Sequence, residues 1–529
     1  MDTEIVGKFL STLPEDDDHP PYRTGPPWRP QTSEWSADDL TVVDGEIPPA
    51  DLDGVYLRNT ENPLHPALKA YHPPFDGDGM LHIVGFRDGN AFYRNRFIRT
   101  DGFEAENAAG GPLWPGLAEP LSLAKVDYGW GGARTLMKDA SSTDVVVHRG
   151  TALTSFYQCG DLYRVDPYSA ETLGKETFNG GFPVDWGGVS AHPKVDDRTD
   201  EMLFFNYSKN APYMHYGVVD ANNDLVHYTD VPLPGPRLPH DMAFTRNYVI
   251  LNDFPLFWDP ELLQRDVHMA RFHRDIPSRF AVLPPRRGTT DQIRWFEADP
   301  TFVLHFVNAY EDGDEIVLDG FFQGDPEPTD NGTGTKWQRA FRFLALDRMQ
   351  ARLHRWRLNL VTGGLTEEPL SDSITEFGMI NTGHLGEPYR YTWAASGKPG
   401  WFLFDGLVRH DVRTGAEERY SFDDGGVYGS ETAMAPPRRQ PSRGRRLPCH
   451  PDHRHDRRRV LLPDFSMRLG WPMARRANSN CPNESRVEPT PPGWLAPRCA
   501  GGIPPTRRLT RSVCSDRSAL RRDAHRLGA

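Results

Sequence analysis

The sequence predicts an all-β protein with the many short strands of a β-propeller, and three observations support this fold class. Glycine and proline number 48 each and 11% of the 529 residues are aromatic, which is typical of short strands joined by turns. Apolar runs of strand length alternate with turn residues from about residue 40 to residue 436. Roughly 400 residues of this pattern, with no domain linker, favour a propeller over a sandwich.

The predicted strands follow one another as short runs rich in β-branched and aromatic residues. In chain order they are MLHIVGF, AFYRNRFIR, DVVVH, EMLFFNYS, NYVILND, EIVLDGFF and WFLFDG. The pairs Asp88–Gly89 and Gly313–Asp314 lie between such runs, where hairpin turns are expected. The segment LDRMQARLHRWRL has the clearest helical periodicity of the chain, but it fits an edge strand equally well.

Charge and hydropathy argue against a nucleic-acid-binding, a membrane-spanning or a secreted protein. The chain has a net charge of −13, yet residues 437–529 carry 21 arginines, no lysine and seven acidic residues. The preceding residues are therefore strongly acidic, which argues against a nucleic-acid partner. No run of about 18 apolar residues could span a membrane. The N-terminal residues lack the basic and apolar regions of a secretory signal, so we expect a cytoplasmic protein.

Three histidines recur in matching settings. His192 lies in GGVSAHPKVDDRTDEMLFFNYS, His240 in PRLPHDMAFTRNYVILNDFPL and His305 in FVLHFVNAYEDGDEIVLDGFF. Each stands before or within a predicted strand, at a separation of about one or one and a half propeller blades. Histidines at the inner ends of successive blades would meet at the central axis and could bind a transition metal. Spacing alone leaves open that they are ordinary surface or core histidines.

The local sequences are more specific than the spacing. The segments GEIPPADLDGVYLRNTENP, FDGDGMLHIVGF and FYRNRFIRT, together with the three histidine segments, resemble the carotenoid cleavage oxygenases. The resemblance runs nearly continuously from about residue 40 to Pro436. It implies a seven-bladed β-propeller whose axis holds Fe(2+) through four histidines, of which His192, His240 and His305 would be three.

The activity implied by this resemblance is the cleavage of a carbon–carbon double bond by O2, giving two carbonyl products. The ligand histidines would position the iron, and no protein acid or base is required. The partners would be O2 and an apolar polyene, and such a substrate leaves room for peripheral contact with a membrane surface.

Family members also use glutamates that accept the second ring N–H of the ligand histidines, which fixes the tautomer of each imidazole. Glu376 in SITEFGMIN and Glu431 in GSETAMAP stand at two such positions. The third position is occupied by Gln158, in TSFYQCGDLYRVDP. An amide oxygen can accept the same hydrogen bond, but without the negative charge the bond is weaker.

The substrate class is inferred from residues that are absent. The stilbene-cleaving branch of the family grips a phenol with a tyrosine and a lysine, and the matching positions here are Phe97 and Tyr157. A carotenoid or apocarotenoid is therefore the expected substrate, with stilbene-type cleavage as the alternative.

The chain changes character at residue 437, which predicts three regions: an N-terminal extension (1–39), a truncated propeller (40–436) and an Arg/Pro-rich disordered tail (437–529). The stretch HPDHRHDRRRV in the tail allows a His-rich metal site, a basic arm or translation out of frame. We interpret it as a frameshift, because one shifted base in G+C-rich codons converts it to a strand-like sequence. The tail then lacks the fourth histidine and the last blades, and the alternative function is an inactive product.

Overall fold

The computed structural model describes residues 31–42, 47, 52–68, 75–116, 119–126, 137–182, 188–266, 270–324, 326, 350–397 and 404–421. The regular secondary structure of these residues is almost entirely antiparallel β-strand, in sheets whose neighbouring strands are mostly consecutive in the chain. No helix in these ranges is long and apolar enough to cross a membrane.

The first half of the described chain forms three four-stranded sheets. The first has the strand order β1-β4-β3-β2 and consists of β1 (Trp35–Ala37), β2 (Gly54–Glu61), β3 (Gly79–Arg87) and β4 (Asn90–Phe97). The second runs in sequence order through β5 (Val145–His148), β6 (Thr151–Thr154), β7 (Tyr163–Val165) and β8 (Thr172–Lys175). The third contains β9 (Lys194–Asp196), β10 (Glu201–Tyr207), β11 (Met214–Val219) and β12 (Leu225–Asp230).

The second half continues the pattern with one hairpin inserted. The fourth sheet contains β13 (Ala243–Phe244), β14 (Val249–Asp253), β17 (Ser278–Leu283) and β18 (Arg294–Ala298). The hairpin between β14 and β17 consists of β15 (Leu256–Trp258) and β16 (Ala270–Phe272). A continuous seven-stranded sheet follows, made of β19 (Phe306–Asp312), β20 (Glu315–Phe322), β21 (Arg352–Asn359), β22 (Leu365–Met379), β23 (Tyr391–Gly397), β24 (Phe404–Asp411) and β25 (Glu417–Ser421).

The long strand β22 joins two blade-sized units. Its first part pairs with β21 and its last part with β23, and each pairing contains a register shift. If β22 is counted in both units, the described residues form six four-stranded units of the kind that make up a β-propeller. The all-β prediction is therefore confirmed.

The predicted hairpin turns also form. Asp88 and Gly89 join β3 to β4 with φ of 52° and 79°. Positive φ at both central residues defines the type I′ turn that Asp-Gly favours. Gly313, at φ 62°, joins β19 to β20. Turn chemistry in the sequence thus correctly placed two of the hairpins.

In the described residues two short α-helices interrupt the strands, and the sequence reasoning identified neither. Helix α1 (Asp101–Ala109) begins after Thr100, whose side chain accepts a hydrogen bond from Phe103 N, and it ends at Gly110 with φ 67°. Helix α2 (Pro260–Leu263) is one turn long and is capped by the Asp259 side chain.

The segment LDRMQARLHRWRL, for which helix and edge strand were both open, supplies β21. Strand β21, which takes in the last seven residues of this segment, pairs with β20 on one side and β22 on the other. The strand alternative is therefore correct, but the strand lies in the interior of the sheet and not at its edge; the helix alternative is wrong. Arginine on such a strand is tolerated because Arg355 is paired with Asp319 on β20 at 2.8 Å.

The core lies between adjacent sheets. One cluster brings together Ile250 of β14, Phe280 of β17, Leu318 of β20 and Trp356 of β21, all fully buried. Sheet faces of adjacent units thus pack against one another, as blades do. Strands at one edge of these units also touch, since β2 contacts β5, β5 contacts β9, and β13 contacts β19; all of these except β2 are the first strands of their units. This line of edge strands positions the site described next.

Candidate metal centre

The three predicted histidines each precede the first strand of a unit. His192 lies two residues before β9, His240 three residues before β13, and His305 directly before β19. Each imidazole therefore leaves the chain at the same point of consecutive units. This common position explains why residues 48 and 65 positions apart in sequence meet in space.

The three imidazoles form one cluster. One ring nitrogen from each histidine can be chosen so that all lie within 4.8 Å of one another. The ring centroids are 4.8 Å apart for His192 and His240, 4.9 Å for His192 and His305, and 5.3 Å for His240 and His305. In the part of the chain that the structure describes, this is the one group of metal-ligating side chains found.

The spacing of the donor atoms suits a transition metal. Nε2 of His192 and Nε2 of His240 are 3.1 Å apart. Two nitrogens that are each about 2.1 Å from one ion and at right angles lie about 3.0 Å apart. Neutral imidazole nitrogens are common ligands of Fe, Zn, Cu and Ni. The donor set therefore fits the iron that the family resemblance implies.

Electrostatics favour the neutral form of His240. Burial, followed by the neighbouring His192, His305 and Lys194, holds the pKa of His240 well below its ordinary value. A neutral imidazole keeps the lone pair that a metal needs, so His240 can act as a ligand at neutral pH.

Glu376, on strand β22, contacts His305. Its Oε2 lies 2.6 Å from Nδ1 of His305, and its side chain is only 3% exposed. The hydrogen bond fixes which ring nitrogen carries the proton and leaves the opposite side of the ring to face the cluster.

The backbone after Glu376 departs from regular β-structure. The register shifts between Glu376 and Met379, and Phe377 has φ 57°, an unusual value for a bulky residue. The Phe377 N–H donates to Glu376 Oε2 at 2.5 Å, and its ring centroid lies 4.7 Å from that of His305. The bulge thus aims the carboxylate at His305 and places an apolar ring beside the ligand.

Asp144 contacts His192, a partner that sequence reasoning missed. Its Oδ2 lies 2.9 Å from Nδ1 of His192. Burial raises the pKa of Asp144, but the hydrogen bond from His192 and the charge of Lys194 outweigh this effect, so its pKa is below the ordinary value. The carboxylate therefore remains ionised beside the cluster at neutral pH.

Asp241 ties the three ligand segments together and was also missed. Oδ2 of Asp241 accepts a hydrogen bond from the backbone N of Phe306 at 2.8 Å, and Oδ1 lies 2.7 Å from Nζ of Lys194. Asp241 follows His240, Phe306 follows His305, and Lys194 is two residues after His192. One buried carboxylate therefore holds all three histidine-bearing segments in register. The adjacency of Asp241 to His240 is the signal that could have singled it out.

The remaining predicted residues have different outcomes. Glu431 lies outside the described residues, as do the tail histidines and the predicted boundary at residue 437. Gln158 is buried, at 4% exposure, in the turn after β6. Nδ1 of His192 and Nδ1 of His305 contact the carboxylates of Asp144 and Glu376 instead. A role for Gln158 beside the metal stays a prediction.

Comparison with known proteins decides the family. The family model described as "RPE65: Retinal pigment epithelial membrane protein" matches residues 28–445 of the chain. The chain is 30% identical over 430 residues to carotenoid 9,10(9',10')-cleavage dioxygenase 1 of Pisum sativum, covering 75% of both proteins. The chain belongs to the carotenoid cleavage oxygenase family.

Other carotenoid cleavage oxygenases extend the comparison. Lignostilbene-alpha,beta-dioxygenase isozyme III of Sphingomonas paucimobilis is 28% identical over 428 residues, which cover 74% of this chain and 81% of that one. A solved structure of a mutant Synechocystis apocarotenoid oxygenase has a TM-score of 0.65 at 22% identity, covering 77% of this chain and 85% of that one. The structural match confirms the β-propeller fold, and the sequence matches place the chain among O2-incorporating oxidoreductases.

Proposed function

We propose that this protein is an iron(II)-dependent dioxygenase that cleaves one carbon–carbon double bond of a carotenoid or apocarotenoid. The observation that carries the proposal is the convergence of His192, His240 and His305 within 4.8 Å. Membership of an oxygenase family supports the reaction class, and the neutral nitrogen donors support a transition metal over calcium, which prefers oxygen ligands.

The reaction consumes one O2 and one alkene, and it balances without any other reactant. The double bond is lost, each of its carbons gains one oxygen atom, and two carbonyl products leave. Bound ferrous iron would supply the redox chemistry that lets O2 react with an alkene. The other requirements fall to residues of the chain.

His192, His240 and His305 would hold the ion. Asp144 and Glu376 fix the tautomers of two of these rings by accepting hydrogen bonds from their Nδ1 atoms. Phe377 packs against His305 and contributes an apolar surface beside the ion. Gln158 and Glu431 belong to the proposal as further acceptors near the ligands, with Gln158 giving the weaker bond because it is uncharged.

The residues at the phenol-binding positions favour a polyene. Phe97 offers no hydroxyl, and its ring packs on Phe103 with centroids 5.1 Å apart. Burial raises the pKa of Tyr157 well above its ordinary value, so its phenol stays protonated. The tyrosine and lysine pair that binds a phenol in the stilbene-cleaving branch is thus incomplete in this chain. Peripheral contact with a membrane, from which an apolar polyene could be taken, and a cytoplasmic location are further expectations.

The test is anaerobic reconstitution of the full chain with Fe²⁺, followed by incubation with an apocarotenoid and ¹⁸O2. We expect about one iron per chain and two labelled carbonyl products, detected by mass spectrometry. A parallel reaction with a hydroxystilbene distinguishes the alternative substrate. Iron bound without cleavage of either substrate would contradict the proposed activity.

A second experiment concerns the C-terminal tail, residues 437–529. Sequencing the gene from codon 425 to the stop tests the interpretation that residues 437–529 are read out of frame. If a missing or extra base is found near codon 437, the corrected frame would encode the last blades and a fourth histidine. A confirmed frame would favour the alternative, an inactive product with a three-histidine site.

A further inference from the structure

Asp144 holds a position at the cluster that the known residue roles do not explain. It lies in the loop immediately before β5, and its two carboxylate oxygens have separate partners. Oδ2 lies 2.9 Å from Nδ1 of His192, whereas Oδ1 accepts a hydrogen bond from the backbone N of Val145 at 2.7 Å. The second contact fixes the orientation of the carboxylate, so that its other oxygen faces the imidazole.

Several hydrogen bonds that do not involve this side chain also hold the loop. Its backbone is held by Thr143 N donating to Ser155 O at 3.0 Å and by Ser155 N donating to Asp144 O at 3.2 Å. The amide of Asn59 donates to the same Asp144 carbonyl, and Tyr157 N donates to Thr143 Oγ1 at 2.9 Å. The carboxylate is therefore available for a purpose other than shaping the loop.

Asp144 carries a negative charge near the cluster, whereas residue 158 is neutral in this chain. The family resemblance places a glutamate at residue 158, where this chain has the neutral Gln158. Two carboxylates, Asp144 and Glu376, contact ligand histidines in the described residues. Asp144 thus brings to the cluster a negative charge that Gln158 does not.

We propose that Asp144 is a positioning residue for the metal centre: it orients His192 so that Nε2 faces His240 and His305, and it supplies the negative charge absent at Gln158. The inference rests on the proposed function, since it takes His192 to be a metal ligand. Because Nδ1 donates its proton to Asp144, the lone pair is on Nε2, which lies 3.1 Å from Nε2 of His240.

The test compares the full chain with the variants Asp144→Ala and Asp144→Asn. The matched control is Asp230→Asn, because Asp230 Oδ1 lies 3.1 Å from Nε2 of His215 on strands β11 and β12, outside the cluster. Affinities for Fe²⁺ and Co²⁺ are measured anaerobically by competition with a chromophoric chelator. The thermal midpoint of each metal-free protein and the visible spectrum of each cobalt form are recorded alongside.

We expect Asp144→Ala to weaken metal binding about 10- to 100-fold, the range typical when the partner of a ligand histidine is removed. Asp144→Asn should lie between this variant and the wild type, because its amide oxygen can accept the Nδ1 proton without a charge. Asp230→Asn should bind metal like the wild type. The cobalt spectrum should change in Asp144→Ala only, while the metal-free midpoints of the two Asp144 variants stay near that of the wild type.

Two outcomes would overturn the inference while leaving the proposed function in place. One is wild-type affinity and an unchanged cobalt spectrum in Asp144→Ala. The other is an equal loss of affinity in Asp144→Ala and Asp230→Asn, with lowered metal-free midpoints in both. A wild-type chain that binds neither Fe²⁺ nor Co²⁺ would instead overturn the proposed function, and the inference with it.

Discussion

The carboxylate–imidazole pairs at the histidine cluster use a different ring nitrogen from the outer pair, which consists of Glu367 and His354 on β22 and β21. At the cluster, Asp144 and Glu376 contact Nδ1 of His192 and His305. On β21 and β22, Glu367 contacts Nε2 of His354 at 3.1 Å. A carboxylate bound to Nδ1 leaves Nε2 of the imidazole available to a metal. A carboxylate bound to Nε2 occupies that nitrogen instead.

The outer pair has a structural role. Glu367 also accepts hydrogen bonds from Trp356 Nε1 at 3.0 Å and from the backbone N of Asp299 at 2.9 Å. It thus joins β21, β22 and the end of β18. The cluster pairs instead hold rings that face other imidazoles. Binding through Nδ1 is not sufficient for a metal site, because His410 also contacts a carboxylate, Glu417, through Nδ1 at 3.3 Å, outside the three-histidine group.

The largest expected effect is a loss of iron when an imidazole is removed from the cluster. Removing an imidazole from the outer pair should have no such effect. His240→Ala should lower the iron content from about one per chain to nearly none and abolish cleavage, because it removes one of the three clustered donors. His354→Ala should retain iron. Metal analysis of both purified variants checks this, and equal iron loss in the two would contradict the assignment of the cluster.

The next largest effect is expected when the carboxylate partner of a ligand histidine keeps its shape but loses its charge. Glu376→Gln should weaken Fe²⁺ binding about 10- to 100-fold, because the carboxylate that orients His305 becomes a neutral amide. Glu367→Gln is the matched control and should leave the affinity unchanged. Chelator competition measures both variants. Loss of affinity in Glu367→Gln alone would reverse the roles given to the two regions.

Asp241→Ala tests the link between the ligand segments. The change leaves the buried Phe306 N–H and Lys194 without their acceptor, so we expect about 1–3 kcal/mol of lost stability. Metal affinity should fall as well, because the three segments lose their common tie. Urea unfolding of the metal-free protein measures the stability, and an unchanged midpoint would show that the tie is dispensable.

The smallest expected effect is a pH dependence in the outer pair. Burial raises the pKa of Glu367, but hydrogen bonds from His354, Asp299 and Trp356 lower it more, so its pKa is below the ordinary value. Its contribution to stability is therefore present above the pKa of an unfolded glutamate, about 4.3, and is lost as the pH falls through the folded value.

The difference in thermal midpoint between wild type and Glu367→Gln should accordingly be larger at pH 5.5 than at pH 3. Thermal melts at both pH values check this. A difference that grows as the pH falls would mean that the charged form of Glu367 does not stabilise the outer pair.

Much of the fold follows from local sequence. The runs MLHIVGF and EIVLDGFF become β3 and β20, and Asp88–Gly89 forms the turn that its two residues favour. LDRMQARLHRWRL was ambiguous because its arginines suit an exposed surface. Pairing with Asp319 lets Arg355 lie in the interior of a sheet instead, and that partner is 36 residues away.

The site divides in the same way. The sequence by itself determined the strand-and-turn character of the chain, its family, and the three histidines, because these are carried by short motifs with particular residue types. Only the tertiary structure decided that Asp144, 48 residues from His192, and Glu376, 71 residues from His305, contact their imidazoles. It also decided which ring nitrogen each one binds. The physical reason is that a hydrogen bond depends on distance and direction in space, and the packing of successive sheets sets both.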